Sequence, residues 1–129
     1  MNYLNFLYAG ILFFVLDFIW IYSNLDFYLN LVLKIQNEPF VIKIPTVIIA
    51  YIFIMTTLYF CIRFIELEVK NKDYLKIFLY SALFGLSVYG VFSFTTCAMF
   101  KNYSYYNAIL DSIWAVVLYS TSSLLYFYL

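Results

Sequence analysis

Apolar residues along this chain come in four long runs, at roughly 3–23, 41–65, 75–100 and 107–128, with polar and charged residues gathered between them. A hydrocarbon core of ~30 Å is crossed by about 20 residues of α-helix, so each run is long enough to span a bilayer. The segment from Leu25 to Phe40, LDFYLNLVLKIQNEPF, is too polar at its end to span. Its Phe27, Leu31 and Ile35 fall at helical spacing opposite Asp26, Asn30 and Asn37, which suits a short helix lying in the interface, with an ordinary loop as the equal alternative. Between the second and third runs, RFIELEVKNKDYLK concentrates charge of both signs and reads as a solvated hairpin. The third connection, KNYSYYN, is short and rich in tyrosine, as expected where rings sit at headgroup level. Short connections make neighbouring helices antiparallel. The expected fold is therefore all-α: an integral membrane up-down four-helix bundle, one domain over residues 1–129.

Composition sharpens this picture. Of 129 residues, 67% are apolar and 11% charged, whereas soluble domains are nearer half apolar. The first run lacks a basic leader, is longer than a signal core and has no small-x-small site after it, so it reads as a retained helix. Seven basic residues balance seven acidic ones, so nothing points to nucleic acid, whose phosphates call for a basic surface. With no histidine, no CxxC and no EF-hand loop, no metal site and no cofactor is expected. Cys61 and Cys97 lie toward opposite ends of their helices, roughly 25 Å apart along the membrane normal and beyond disulfide reach. Arg63, Lys70, Lys72 and Lys76 flank the middle hairpin against Lys34, Lys43 and Lys101 on the other side. That excess of one leans toward a multi-pass protein with cytoplasmic termini.

The unusual chemistry is a pair of echoes, LDFIW from Leu16 to Trp20 and LDSIW from Leu110 to Trp114, which place an aspartate three residues before each of the two tryptophans. Asp17 lies past the middle of the first helix and Asp111 near the start of the fourth, so the two share a leaflet. Ala82, Gly85, Tyr89, Ser93 and Thr96 recur at spacings of three and four on the third helix, a small and polar face that should turn to the bundle interior. Its end carries Tyr89, Ser93, Thr95 and Thr96 toward the aspartates. An aspartate at a helix centre costs about 2.5 to 3.5 kcal/mol on insertion scales, so partners are needed. No Lys or Arg lies at that depth. The expected partners are the hydroxyls of Tyr89, Ser93, Thr95 and Thr96, the indole N–H groups of Trp20 and Trp114, water or a ligand. The two helices run in opposite directions, which puts Trp20 toward the rim and Trp114 deeper, two separate elements of one site.

LDFIW, Phe27-Tyr28, FGLSVYG continuing to Thr95 and Ala98, and LDSIW together resemble a family of small predicted membrane proteins catalogued as domain of unknown function 2177. The resemblance covers nearly the whole chain. The family pattern runs Tyr-Gly-Thr-Tyr-Asp-Leu-Thr-Asn in the third helix and Asp-x-x-Trp-Gly in the fourth; this chain matches at Tyr89, Gly90, Thr95, Asp111 and Trp114. Ser93 stands where the pattern has Asp, Thr96 where it has Asn, and Ala115 where it has Gly. The resemblance implies a four-helix membrane architecture and no established activity.

Three functions fit these residues. The first is binding or handling of a lipid-like or small amphipathic molecule, with Asp17 and Asp111 as polar anchors and Trp20, Trp114 and Tyr89 as walls. The second is a structural or interaction protein whose aspartates tie helices; the Ser81 and Gly85 small-x-x-x-small pair is then a contact surface, and a homo-oligomer is left open. The third is proton or cation passage, against which the other leaflet offers only Ser120 to Ser123 and Arg63. The Ser120 to Ser123 run itself reads as helix hydroxyls bonding back to preceding carbonyls. No activated nucleophile is visible, so the reading leans away from an enzyme.

Overall fold

In the computed structural model, which describes residues 1–129, the chain forms α1 (Tyr3–Ser23), α2 (Leu25–Gln36), α3 (Ile44–Glu68), α4 (Tyr74–Gly85), a π-helical turn (Leu86–Gly90), α5 (Val91–Met99) and α6 (Tyr105–Tyr128). The α4, π and α5 segments join into one span, Tyr74–Met99. With α1, α3 and α6 it makes four helices long and apolar enough to cross a membrane, the all-α bundle that the hydropathy pattern predicts.

Local chemistry sets where the helices start. Asn2 Oδ1 accepts from the Leu4 and Asn5 amides, Asp73 Oδ1 from Lys76 and Ser104 Oγ from Asn107, each occupying N–H groups that a first turn leaves unpaired. Pro45 sits in the first turn of α3, where its missing N–H costs nothing. Asn37 (φ 56°) ends α2 in the left-handed conformation, and Asn71 (φ 60°) and Lys72 (φ 49°) turn the middle hairpin. The segment left open between a loop and an interfacial helix is thus the helix α2. Its inward face is Tyr28, Leu31, Val32 and Ile35; Phe27, grouped with that face by its spacing, is exposed.

Around the bundle, α1 packs on α3, α3 on α4, α4 on α6 and α6 on α1, with α3 and α6 also meeting across the middle. The last helix is the central one. In its apolar window 44% of residues are buried, against 22% in each of the other spans. Small side chains allow this: Ala108, Ser112, Ala115, Ser122 and Ser123 on α6 are all buried. Opposite them, a Cβ placed on Gly85 would lie 2.5 Å from the Ala115 carbonyl oxygen, so only glycine permits α4 to sit this close. The Ser81 and Gly85 pair is therefore consumed inside the chain against α6 and is not an outward contact surface.

Phe13, Leu58, Ile62, Ile65, Ile77, Leu118 and Tyr119 fill the core. Hydroxyls thread through it. Tyr119 and Thr57 share a hydrogen bond, Ser81 donates to Ser120 at 3.5 Å, Ser123 lies 3.8 Å from Cys61 Sγ, and Tyr126 donates to Glu66. Glu66 also pairs with Arg63 at 2.7 Å. In the Ser120 to Ser123 run only Thr121 bonds back to the carbonyls of Val117 and Leu118. The serines turn inward instead, so the half of the bundle away from the aspartates holds more buried polar groups than the sequence suggested.

Candidate functional site

Asp17 projects from α1 and is almost fully buried, at 6% exposure. Its Oδ2 accepts a hydrogen bond from the Tyr51 hydroxyl of α3 at 2.6 Å; Oδ1 receives none. Asp111, in the second turn of α6, is better served. Tyr28 of α2 donates to its Oδ1 at 2.8 Å, while Asn107 Nδ2 at 3.2 Å and the Tyr103 hydroxyl at 3.4 Å donate to Oδ2. Trp20 Nε1 in turn donates to the Tyr28 oxygen at 2.9 Å, so a relay runs from α1 through α2 to α6. Burial, and next the bond to Asp111, push the Tyr28 phenol above its ordinary range. Burial, and next the Asp111 charge, do the same for Tyr103. Both phenols therefore remain protonated and act as donors.

Of these side chains, Asp17, Trp20, Tyr28 and Asp111 line a single cavity of about 330 Å³ between α1, α2, α5 and α6. Asp17, Trp20, Tyr28, Tyr89, Ser93, Asp111 and Trp114 form its inner part. Ile21, Leu25, Leu29, Phe40 and Phe92, all exposed, form an apolar rim. Trp20 and Trp114 are not separate elements at different depths. Their rings stack 4.5 Å apart at 11°. Side chains on a helix lean toward its own N-terminus; for antiparallel α1 and α6 the two leans converge and bring the rings to one level.

Six of the eight residues singled out by the sequence (Asp17, Trp20, Tyr89, Ser93, Asp111 and Trp114) thus share one cavity. Thr95 and Thr96 do not. Thr95 is exposed, and Thr96 returns its hydroxyl to the Phe92 carbonyl at 2.7 Å. A π turn at Leu86–Gly90 interrupts the regular helical spacing of this face between Gly85 and Ser93. Ser93 Oγ and Trp114 Nε1 are buried with no hydrogen-bond partner; Ser93 is close enough to act on the Tyr103 hydroxyl without meeting it in bonding geometry. The partners that the sequence reading missed are Tyr28, Tyr51, Tyr103 and Asn107. Tyr51 and Tyr103 are two tyrosines among fifteen with nothing local to single them out, while Tyr28 was named only within the Phe27-Tyr28 pair of the resemblance, without a role. Asn107 had a signal, standing one helical turn before Asp111.

One family pattern, described as "Predicted membrane protein (DUF2177)", matches residues 2–128. The chain belongs to the DUF2177 family. No curated protein and no solved structure matches it. The family match spans all four helices that are long and apolar enough to cross a membrane, and every residue that lines the cavity. Of the three residues set apart by the resemblance, Ser93 lies in the cavity, Ala115 lies against Gly85, and Thr96 lies outside.

Proposed function

We propose that this membrane protein binds a lipid-like or small amphipathic molecule in the cavity between α1, α2, α5 and α6. Its polar group lies at Asp17 and Asp111 and its apolar part leaves past Leu25, Leu29 and Phe92. One observation carries the reading: two carboxylates and a stacked tryptophan pair line one mostly apolar cavity that has an exposed apolar rim. Ligand sites have this character, apolar walls with a few convergent polar groups, and ionisable residues inside a bilayer tend to mark function. Lipid analysis of the purified wild type against Asp17→Asn is the test. A species retained by the wild type and lost from the variant supports binding; identical extracts from both count against it.

A second reading has its own observation. Tyr51 and Tyr28 each donate to an aspartate of another helix, so the carboxylates also tie α3 to α1 and α2 to α6. Such ties are worth about 0.6 to 2 kcal/mol each inside a membrane. If uncharged Asp17→Asn and Asp111→Asn both melt several degrees lower and no ligand is found, architecture explains the aspartates. For topology the proposal is cytoplasmic termini, on the basic residues around the middle hairpin. A reporter fused after Leu129 that is active only on the outer side would reverse that orientation.

A further inference from the structure

Resting on the reading of the cavity as an amphiphile site, we propose that its polar group is a protonated primary amine, so that the ligand class is a long-chain amine. The sign of the charge comes first. Asp17 and Asp111 both line the cavity, and none of the lining residues is Lys or Arg. The ion pairs of the chain lie elsewhere, at Glu66 and Asp73, so neither cavity carboxylate has a cation within bonding distance. An anionic group would add like charge to two buried carboxylates, whereas a cation offsets their desolvation.

Hydrogen-bond counting narrows the cation. A carboxylate offers about four acceptor sites, yet Asp17 receives one donor, on Oδ2, and nothing on Oδ1. Ser93 Oγ and Trp114 Nε1 are also buried on this cavity with no partner; the hydroxyl can accept or donate, the indole N–H only donates. Unused acceptors call for N–H donors. A primary ammonium carries three; a quaternary ammonium carries none and leaves them unpaired. The stacked Trp20 and Trp114 rings border the same space, and an aromatic face adds attraction for a cation within about 6 Å. The rim residues Leu25, Leu29 and Phe92 then direct an alkyl chain outward to lipid.

Both tryptophans of the chain lie at this cavity, so intrinsic fluorescence reads the site directly. In neutral phosphatidylcholine nanodiscs, the wild type would be titrated with dodecylamine, 1-dodecanol and dodecyltrimethylammonium at neutral pH. Dodecylamine is expected to bind about tenfold tighter or more than the other two. In Asp17→Asn the advantage over dodecanol should fall to about threefold or less. If dodecanol equals dodecylamine on the wild type, the amine proposal is overturned while the amphiphile site stands. If dodecyltrimethylammonium equals dodecylamine, N–H donation is overturned. If no probe changes the emission of folded wild type, both the amine proposal and the binding reading fall. These wild-type comparisons decide the matter even where Asp17→Asn does not fold.

Discussion

Trp20 and Trp114, ninety-four positions apart, stack face to face with centroids 4.5 Å apart, closing α1 onto α6 beside the two aspartates. Two indoles at that separation couple their transitions, so the wild type should show a paired positive and negative band in its circular dichroism. Trp20→Phe and Trp114→Phe should each abolish the pair and cost about 0.5 to 1.5 kcal/mol beyond lost area. Wild-type spectra equal to the sum of the two single-tryptophan variants would show that the rings do not stack.

Gly85 separates α4 from α6 by less than a methyl group allows. The first atoms that its Cβ would meet are the Ala115 carbonyl oxygen and carbon, at 2.5 and 2.9 Å, and backbone cannot swing aside. Gly85→Ala should destabilise by about 1 to 3 kcal/mol. Gly10→Ala, whose Cβ meets only the flexible Met55 sulfur at 3.5 Å, should be neutral or stabilising by up to about 1 kcal/mol through helix propensity. Thermal melts of the two variants in one micelle system make the comparison; equal losses would refute the close contact.

Tyr51→Phe and Tyr28→Phe each remove a hydroxyl that donates to an aspartate, and their effects should differ. Asp17 has Tyr51 as its one donor, so Tyr51→Phe should cost about 1 to 3 kcal/mol. Asp111 keeps Asn107 and Tyr103 when Tyr28 is lost, so the overall melt should move less. Instead α2 should loosen, since Tyr28 is its bond into the site and Asn102 to the Lys34 carbonyl its other tie. Hydrogen exchange should speed up over residues 25–36 in Tyr28→Phe and stay unchanged there in Tyr51→Phe.

The hydroxyls threading the core are not hydrogen-bonded to one another in one unbroken chain. Ser122 Oγ has no partner, and the Ser123 to Cys61 contact is a weak sulfur one at 3.8 Å. Sealed vesicles containing the protein should therefore leak protons no faster than empty ones, read with an internal pH dye. A leak that Asp17→Asn abolishes would establish passage instead.

Length and hydropathy were enough to read four spans, because a bilayer forces every backbone group into a helix and every helix to about the same length. The same logic, applied to depth, placed both aspartates in one leaflet and six candidate residues in what proved to be one cavity. It failed where side-chain direction or register mattered. Trp20 and Trp114 meet because helical side chains lean toward their own N-termini, which Cα depth ignores. Thr95 stands two residues from Ser93, off its helix face, and Thr96 spends its hydroxyl on the Phe92 carbonyl. Tyr51 and Tyr103 were invisible among fifteen tyrosines and the role of Tyr28 could not be read, since a hydroxyl's partner is chosen by which helices are neighbours. The sequence by itself determined the membrane, the helices and the presence of two costly carboxylates, all local consequences of chemistry and length. Only the tertiary structure decided that α6 is the centre of the bundle, that Ser81 and Gly85 face inward, and which phenols meet Asp17 and Asp111, because each depends on how closely two helix backbones can approach.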